Sequence, residues 1–186
     1  MKLLCEIRHS EIVPNAKDKD STGFGERHAA RAIVTGGNGR VALLHVGKYN
    51  YHKLPGGGVE NNEDIKQALE RELLEEIGCR AEITDELGEI IEYRDEWNQK
   101  QTSYCYLAKQ VGEMNRPDFT GKELSEGVAL VWAKDTADAI NLLEQDAPDD
   151  YGGKFIHERD LTFLKAAHTY IRYMHGLPYA ENLPIN

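Results

Sequence analysis

Apolar and polar positions along the chain fall into short runs punctuated by glycine- and asparagine-rich turns. Residues 3–13 (LLCEIRHSEIV) alternate loosely and predict a first strand, and the polar run 15–21 predicts a loop. From His28 to Thr35 the chain becomes apolar and β-branched, turns at Gly36-Gly37-Asn38-Gly39, and resumes as a strand over Arg40–Val46. Two apolar runs around such a turn predict a hairpin. Arg80–Thr84, Gly88–Arg94, Thr102–Ala108 and Gly127–Ala133 read as further strands. In Thr102–Ala108, Tyr104, Tyr106 and Ala108 should share one face, and Ser103, Cys105 and Leu107 the other.

Helical spacing appears in three places. Residues 62–77 form one helix, with Asn61 or Asn62 as cap, Glu63 and Asp64 favoured by the helix dipole, and Gly78 as left-handed stop. A short helix covers Thr136–Glu144, capped by Asp135 or Thr136, and a final one spans about 158–175. Residues 112–126 and 145–154 lack a period and read as loops; Trp132, inside an apolar strand, reads as core. Strands and helices interleave, which predicts an α/β fold with helices on both faces of a mixed sheet.

Composition narrows the setting. The 186 residues fit one domain, 1–186, with a core of about 27–145 plus the N-terminal strand and C-terminal helix. No run approaches the roughly 18 to 20 apolar residues needed to span a membrane. The N-terminus is too short in apolar residues for a secretory signal, so a cytoplasmic setting without membrane contact is the expectation. Cys5, Cys79 and Cys105 show no paired spacing and read as reduced thiols. With 32 acidic against 22 basic residues, the net charge of −10 disfavours nucleic acid as a partner. A small phosphorylated ligand is still compatible, because a cation or local arginines can invert the field in a pocket.

The chemistry concentrates between Gly57 and Cys79, just after Leu54-Pro55-Gly56-Gly57-Gly58. At helical spacing Glu72, Glu75 and Glu76 fall within an arc of roughly 100°. Such crowding weakens a bare helix, and hard oxygens at this density suit Mg²⁺, with Mn²⁺ as the alternative. Arg71 can hold a neighbouring carboxylate or a loop carbonyl. A solvated acidic face is the plain alternative.

The spacing is more specific than that. Gly57, five residues, Glu63, seven residues, Arg71-Glu72-Leu73, one residue, Glu75-Glu76, one residue and Gly78 resemble the box of the MutT-like Nudix hydrolase family. Cys79 stands where that family usually has Ile, Leu or Val. The resemblance implies the Nudix α/β/α sandwich and hydrolysis of a diphosphate bond in a nucleoside diphosphate linked to another group. It implies Glu72, Glu76 and Glu75 as metal ligands with the Gly56 carbonyl as a fourth. Gly57, Glu63 and Gly78 become structural residues of the box. A further Glu before a late strand often assists; Glu126 is preferred here over Glu123.

Substrate signatures are thin. The proline that ADP-ribose-cleaving members often carry past the box is replaced by Arg94, and Tyr93 falls short of the tyrosine of dinucleoside polyphosphate hydrolases; no coenzyme A signature is present. Tyr49, Tyr51, Trp97 or Tyr104 could stack on a base. Arg27, Arg31, Lys48 or Lys53 could pair with phosphate. His52 adjoins the glycine loop. Two other functions are compatible with the fold: a catalytically silent nucleotide sensor, and a prenyl diphosphate isomerase that needs a reactive cysteine. A homodimer through the N-terminal strand or the C-terminal helix is compatible too.

Overall fold

A computed structural model describes residues 1–174 and 176. Within them lie strands β1 (Leu3–Ile7), β2 (Gly25–Thr35), β3 (Val41–Val46), β4 (Tyr51–Lys53), β5 (Arg80–Arg94), β6 (Gln99–Val111) and β7 (Val128–Ala133). The helices are α1 (His9–Ile12), α2 (Ile65–Ile77), α3 (Gly121–Ser125), α4 (Thr136–Gln145) and α5 (Tyr151–Met174). The strands form one mixed sheet in the order β1-β5-β6-β2-β3-β4, with β7 also on β3. β1 runs parallel to β5 and β2 parallel to β6; the other pairs are antiparallel.

Strand alternation builds a core on each face. Ala30, Ala32 and Val34 of β2, with Tyr106 and Ala108 of β6, pack against Leu69, Leu73 and Ile77 of α2. The intervening Ile33, Cys105 and Leu107 face Phe155, Phe163 and Leu164 of α5, joined by Leu143 of α4. This is the α/β/α sandwich expected, with the two faces of β6 assigned as its alternation implied. The side chains at this contact are small: Ala30 and Ala32 of β2 and Ala68 of α2 are all fully buried. Small side chains at a contact let a helix axis approach closely, which brings the middle of α2 toward the sheet edge.

Several expectations require correction. The first strand stops at Ile7, because the Arg8 N–H is captured by the Glu11 carboxylate at 2.6 Å and starts a helical turn instead. The hairpin of β2 and β3 closes through Thr35 and Val41 alone. Below that pair the edge of β2 is taken by the glycine loop: Ala30 N–H donates to Gly57 O at 2.9 Å and Ala32 N–H to Pro55 O at 3.1 Å. β3 turns away to pair with β7 and with the unanticipated β4. α2 begins at Ile65 with Asp64 as its cap, accepting from Lys66 and Gln67 N–H; Asn62 lies outside the helix in the left-handed region.

Residues 80–94 form one bulged strand rather than two, with Gly88 at a bulge. The 112–126 loop contains α3, capped by Thr120. Trp132 is half-buried, with the Arg40 guanidinium 4.5 Å above its ring.

α5 starts at Tyr151, seven residues before the expected 158, and its expected last residue, 175, lies outside the described residues. Gly152 and Gly153 hide the start, since glycine is a poor helix former. Both are required by packing. A Cβ at Gly152 would lie 2.8 Å from Trp97; one at Gly153 would lie 2.4 Å from the Asp150 carboxylate and 2.9 Å from Pro148. Propensity alone predicts that Gly153→Ala stabilises the helix by about 1 kcal/mol. We expect the reverse, a loss of about 1–3 kcal/mol in urea unfolding from overpacking; a more stable variant would refute this account of the first turn.

Candidate active site

The glycine loop and α2 are joined through Glu76. This side chain is buried, and its oxygens accept from the Gly56 N–H at 2.5 Å and from Lys53 Nζ at 3.0 Å. Gly56 has φ +124°, and a Cβ there would stand 2.2 Å from Ala30 O. Only glycine lets the loop lie this close to β2 while its N–H points at α2. At Gly57 a Cβ would meet the Glu72 carboxylate at 2.0 Å, so Glu72 also rests against the loop backbone.

Arg71 organises the other carboxylates. It donates to Glu63 at 2.9 and 3.2 Å, to Glu72 at 2.9 Å and to Gly58 O at 3.2 Å, with Glu75 at 3.5 Å. The hydrogen bond to Glu63 is the main reason its pKa is raised; the same bond, with the Glu60 N–H, holds Glu63 below the ordinary carboxylate range. Gly78, with φ +74°, ends α2 by donating to Leu74 O. The box residues therefore act as one bracket, with Glu63 and Arg71 bracing the loop and Glu72 and Glu76 pressed to its backbone.

Burial shapes the acids. Desolvation lifts the Glu76 carboxyl from 4.5 to about 7 against the opposing pull of Lys53, the Gly56 N–H and Arg31, and Glu72 adds repulsion. Glu75 is also raised, first by desolvation, then by repulsion from Glu72 and Glu123, with Arg71 opposing. At Glu123, burial acts upward but is outweighed by hydrogen bonds from Thr120 and by the nearby Lys53 and Glu76, leaving it lowered.

The predicted residues are only partly gathered. Glu72, Glu76 and Arg71 converge on the loop at Gly56–Gly58, Lys53 joins them through Glu76, and Glu75 stands 3.5 Å from Arg71. Arg31 approaches the loop from the opposite side, near enough for its charge to act on Glu76. His52 points elsewhere: its Nδ1 lies 3.1 Å from both Asp146 oxygens and its ring is 4.9 Å from His45. Strand alternation explains the split, because Lys53 faces Glu76 and its neighbour must face away. Tyr104 stacks on His28 at 5.9 Å, on the α2 side of the sheet. Glu126 pairs loosely with Lys122 at 3.9 Å, whereas Glu123 is the acid of this segment beside Lys53 and Glu76.

Carboxylates with a mean need for positive charge suit a hard divalent cation. Among the described residues, however, no three Asp, Glu, His or Cys side chains form a ready-made metal cluster. Glu72 is engaged by Arg71, and Glu76 by Lys53 and Gly56. The donor chemistry fits a cation, and the ion would draw on carboxylates now paired within the protein.

The NUDIX domain pattern matches residues 25–165. A hydrolase of that family from Nitrosomonas europaea superposes with TM-score 0.60 at 16% identity, covering 86% of this chain and 100% of the other. One from Clostridium perfringens gives TM-score 0.51 at 16% identity, with coverages of 75% and 97%. The RNA pyrophosphohydrolase of Teredinibacter turnerae is 41% identical over 70 residues, 37% of this chain. That match spans 40% of the curated relative's length.

Because the native state holds the Glu76 proton more tightly than the unfolded chain does, this group favours folding most below about pH 4.5 and progressively less up to about pH 7. Glu76→Gln cannot ionise. In metal-free buffer its stability relative to the wild type should rise between about pH 4 and about pH 8, by on the order of 3 kcal/mol. Urea unfolding of both proteins at the two pH values checks this; a constant difference would contradict a buried, proton-retaining Glu76.

Proposed function

Since the chain belongs to the Nudix family, we propose that it is a Mg²⁺-dependent hydrolase that cleaves a diphosphate bond in a small nucleotide, with Mn²⁺ as a substitute ion. The observation that carries this reading is the convergence of Glu72 and Glu76 on the backbone of the glycine loop, with Glu75 beside them. A diphosphate repels hydroxide, and a bound divalent ion supplies charge neutralisation and a more acidic water. Glu72, Glu76 and Glu75 would hold the ion, with the Gly56 carbonyl as a further oxygen ligand.

The protein's own groups do the rest. Glu63 and Arg71 keep Glu72 against the loop. Lys53, already between Glu76 and Glu123, gives a mobile ammonium that can move to a phosphate oxygen when Glu76 takes another cation. In this reading Glu123, beside Lys53 and Glu76, would accept a proton from water, and its proximity makes it our first choice of helper ahead of Glu126. We take the whole chain, 1–186, as one functional domain.

Two alternatives are weaker. A silent nucleotide sensor would not require every box carboxylate, and all are present. An isomerase that needs a reactive thiol is disfavoured because burial raises all three cysteines, Cys5 to about 11. The partial likeness to an RNA pyrophosphohydrolase adds 5′-triphosphorylated RNA to the substrates worth testing, although the charge of −10 gives little help in holding a long phosphate backbone.

With Mg²⁺, a panel of nucleoside triphosphates, nucleotide sugars, ADP-ribose, dinucleoside polyphosphates and a triphosphorylated RNA should release phosphate, pyrophosphate or nucleoside monophosphate from at least one. Glu72→Gln and Glu76→Gln should each lower kcat by about two orders of magnitude or more while the protein remains folded; full activity in both would remove the carboxylates from the mechanism. Glu123→Gln should lower kcat more than Glu126→Gln, and the opposite ranking would return the helper role to Glu126.

A further inference from the structure

The segment between β6 and β7 is held to the site by its main chain before it delivers a side chain. The Asn115 N–H donates to Gly78 O at 2.8 Å and the Asp118 N–H to Glu75 O at 2.7 Å. These carbonyls end α2, where the last oxygens of a helix have no partner within it. The crossing is close: a Cβ on Gly78 would lie 2.3 Å from Asn115 O. Gly78 thus both stops the helix and leaves room for the segment that passes over its end.

Phe119 follows at once and packs into the cluster of Leu44, Val46, Tyr51 and Val128. Thr120 then takes hold of Glu123. Its N–H and its hydroxyl both donate to Glu123 Oε2 at 2.8 Å, and the Glu123 N–H donates back to Thr120 Oγ1 at 3.3 Å. Residues 115–120 form a strap that is clamped to α2, anchored by one aromatic ring and finished on the Glu123 carboxylate.

The helix that bears Glu123 has little hold of its own. α3 has five residues, none of them buried, and Leu124 is 65% exposed. A single turn is not stable by itself. Its far end is tied by the Lys48 N–H to Glu126 O at 2.9 Å and by the Gly47 N–H to Gly127 O at 3.2 Å. Its near end has the strap. The placement also works against electrostatics, because Glu123 repels Glu75 on a helix that already crowds Glu72, Glu75 and Glu76. Lys53 and Glu76 stand beside it. A glutamine would complete the same capping box without that repulsion, so the cap alone does not account for an acid here.

We propose that Phe119 and Thr120 are positioning residues of the hydrolytic site: the strap transmits the placement of the carboxyl end of α2 to Glu123 and holds its carboxylate beside Glu76 for proton transfer. This rests on the reading of Glu123 as the helper of a diphosphate hydrolase.

Kinetics with Mg²⁺ and the best substrate of the nucleotide panel test this in two backgrounds. In the wild type, Thr120→Val should lower kcat about fivefold and Phe119→Ala about tenfold, with KM within about twofold. Thr120→Ser, which keeps the hydroxyl, should restore kcat. In Glu123→Gln, where glutamine keeps the capping box, the same substitutions should lower kcat by less than about twofold further. Equal losses in both backgrounds, a Thr120→Ser protein as slow as Thr120→Val, or full activity of Glu123→Gln overturns the proposal while the hydrolase reading stands. Should Phe119→Ala fail to fold, the Thr120 variants decide alone. Amide hydrogen exchange of the metal-free protein reads the strap without turnover. The Asn115 and Asp118 amides should be protected in the wild type, and Phe119→Ala should speed their exchange about tenfold while leaving Leu73 of α2 unchanged. Unprotected amides in the wild type overturn the strap. Protected amides in a protein that hydrolyses nothing on the panel leave the strap, and remove the hydrolase reading together with its catalytic use.

Discussion

The hydrogen bond from the Gly56 N–H to the buried Glu76 carboxylate is the contact on which the site depends. It ties the three-glycine strip of the loop to the helix that carries the acids. It also fixes the protonation problem of the site, because a carboxylate at this depth needs either a proton or a cation. Lys53 meets that need only in part, since the carboxyl holds its proton to about pH 7. The three alanines at the α2–sheet contact, the left-handed Gly56 and the Arg71–Glu63 brace all serve the same closeness of approach.

A second layer supports the loop from α5. Asp160 receives the Leu54 N–H, Arg159 links Asp160 to Glu92, and Glu92 reaches Arg27 through Gln101. Each member of this chain of contacts is held by at least one other. Such networks are rigid when satisfied and costly when partly dismantled. Within it Arg31 Nε, Arg94 Nε and Arg159 Nη2 are buried without a hydrogen-bond partner among the described residues.

Much of the architecture was legible from the chain itself. The box spacing, the alternation in β6 and the stop at Gly78 rest on local periodicity, and local periodicity survives folding. What escaped were features decided by distant partners. The glycine loop, not β3, occupies the edge of β2; no hairpin signal reports that competition. Gly152 and Gly153 read as a loop until Trp97, Tyr51 and Pro148 are seen pressing on them. His52 and Lys53 are neighbours in sequence with opposite fates, one toward Asp146 and one toward Glu76. That Glu123 lies beside Lys53 and Glu76 while Glu126 pairs with Lys122 depends on α3, which the aperiodic run 112–126 does not announce. The buried Glu92 and Arg159 network left no sequence signal beyond charges placed in otherwise apolar segments.

The Leu54–Asp160 hydrogen bond joins residues 106 positions apart. Contacts of such separation form slowly, because the intervening chain must first be ordered. During synthesis the box, its helix and most of the sheet emerge well before Asp160 does. A nascent chain can thus hold the whole glycine–carboxylate motif with its loop unanchored on one side. The anchor that the loop receives from Asp160 therefore exists only once α5 has docked, whereas its contacts with β2 and α2 do not require that helix.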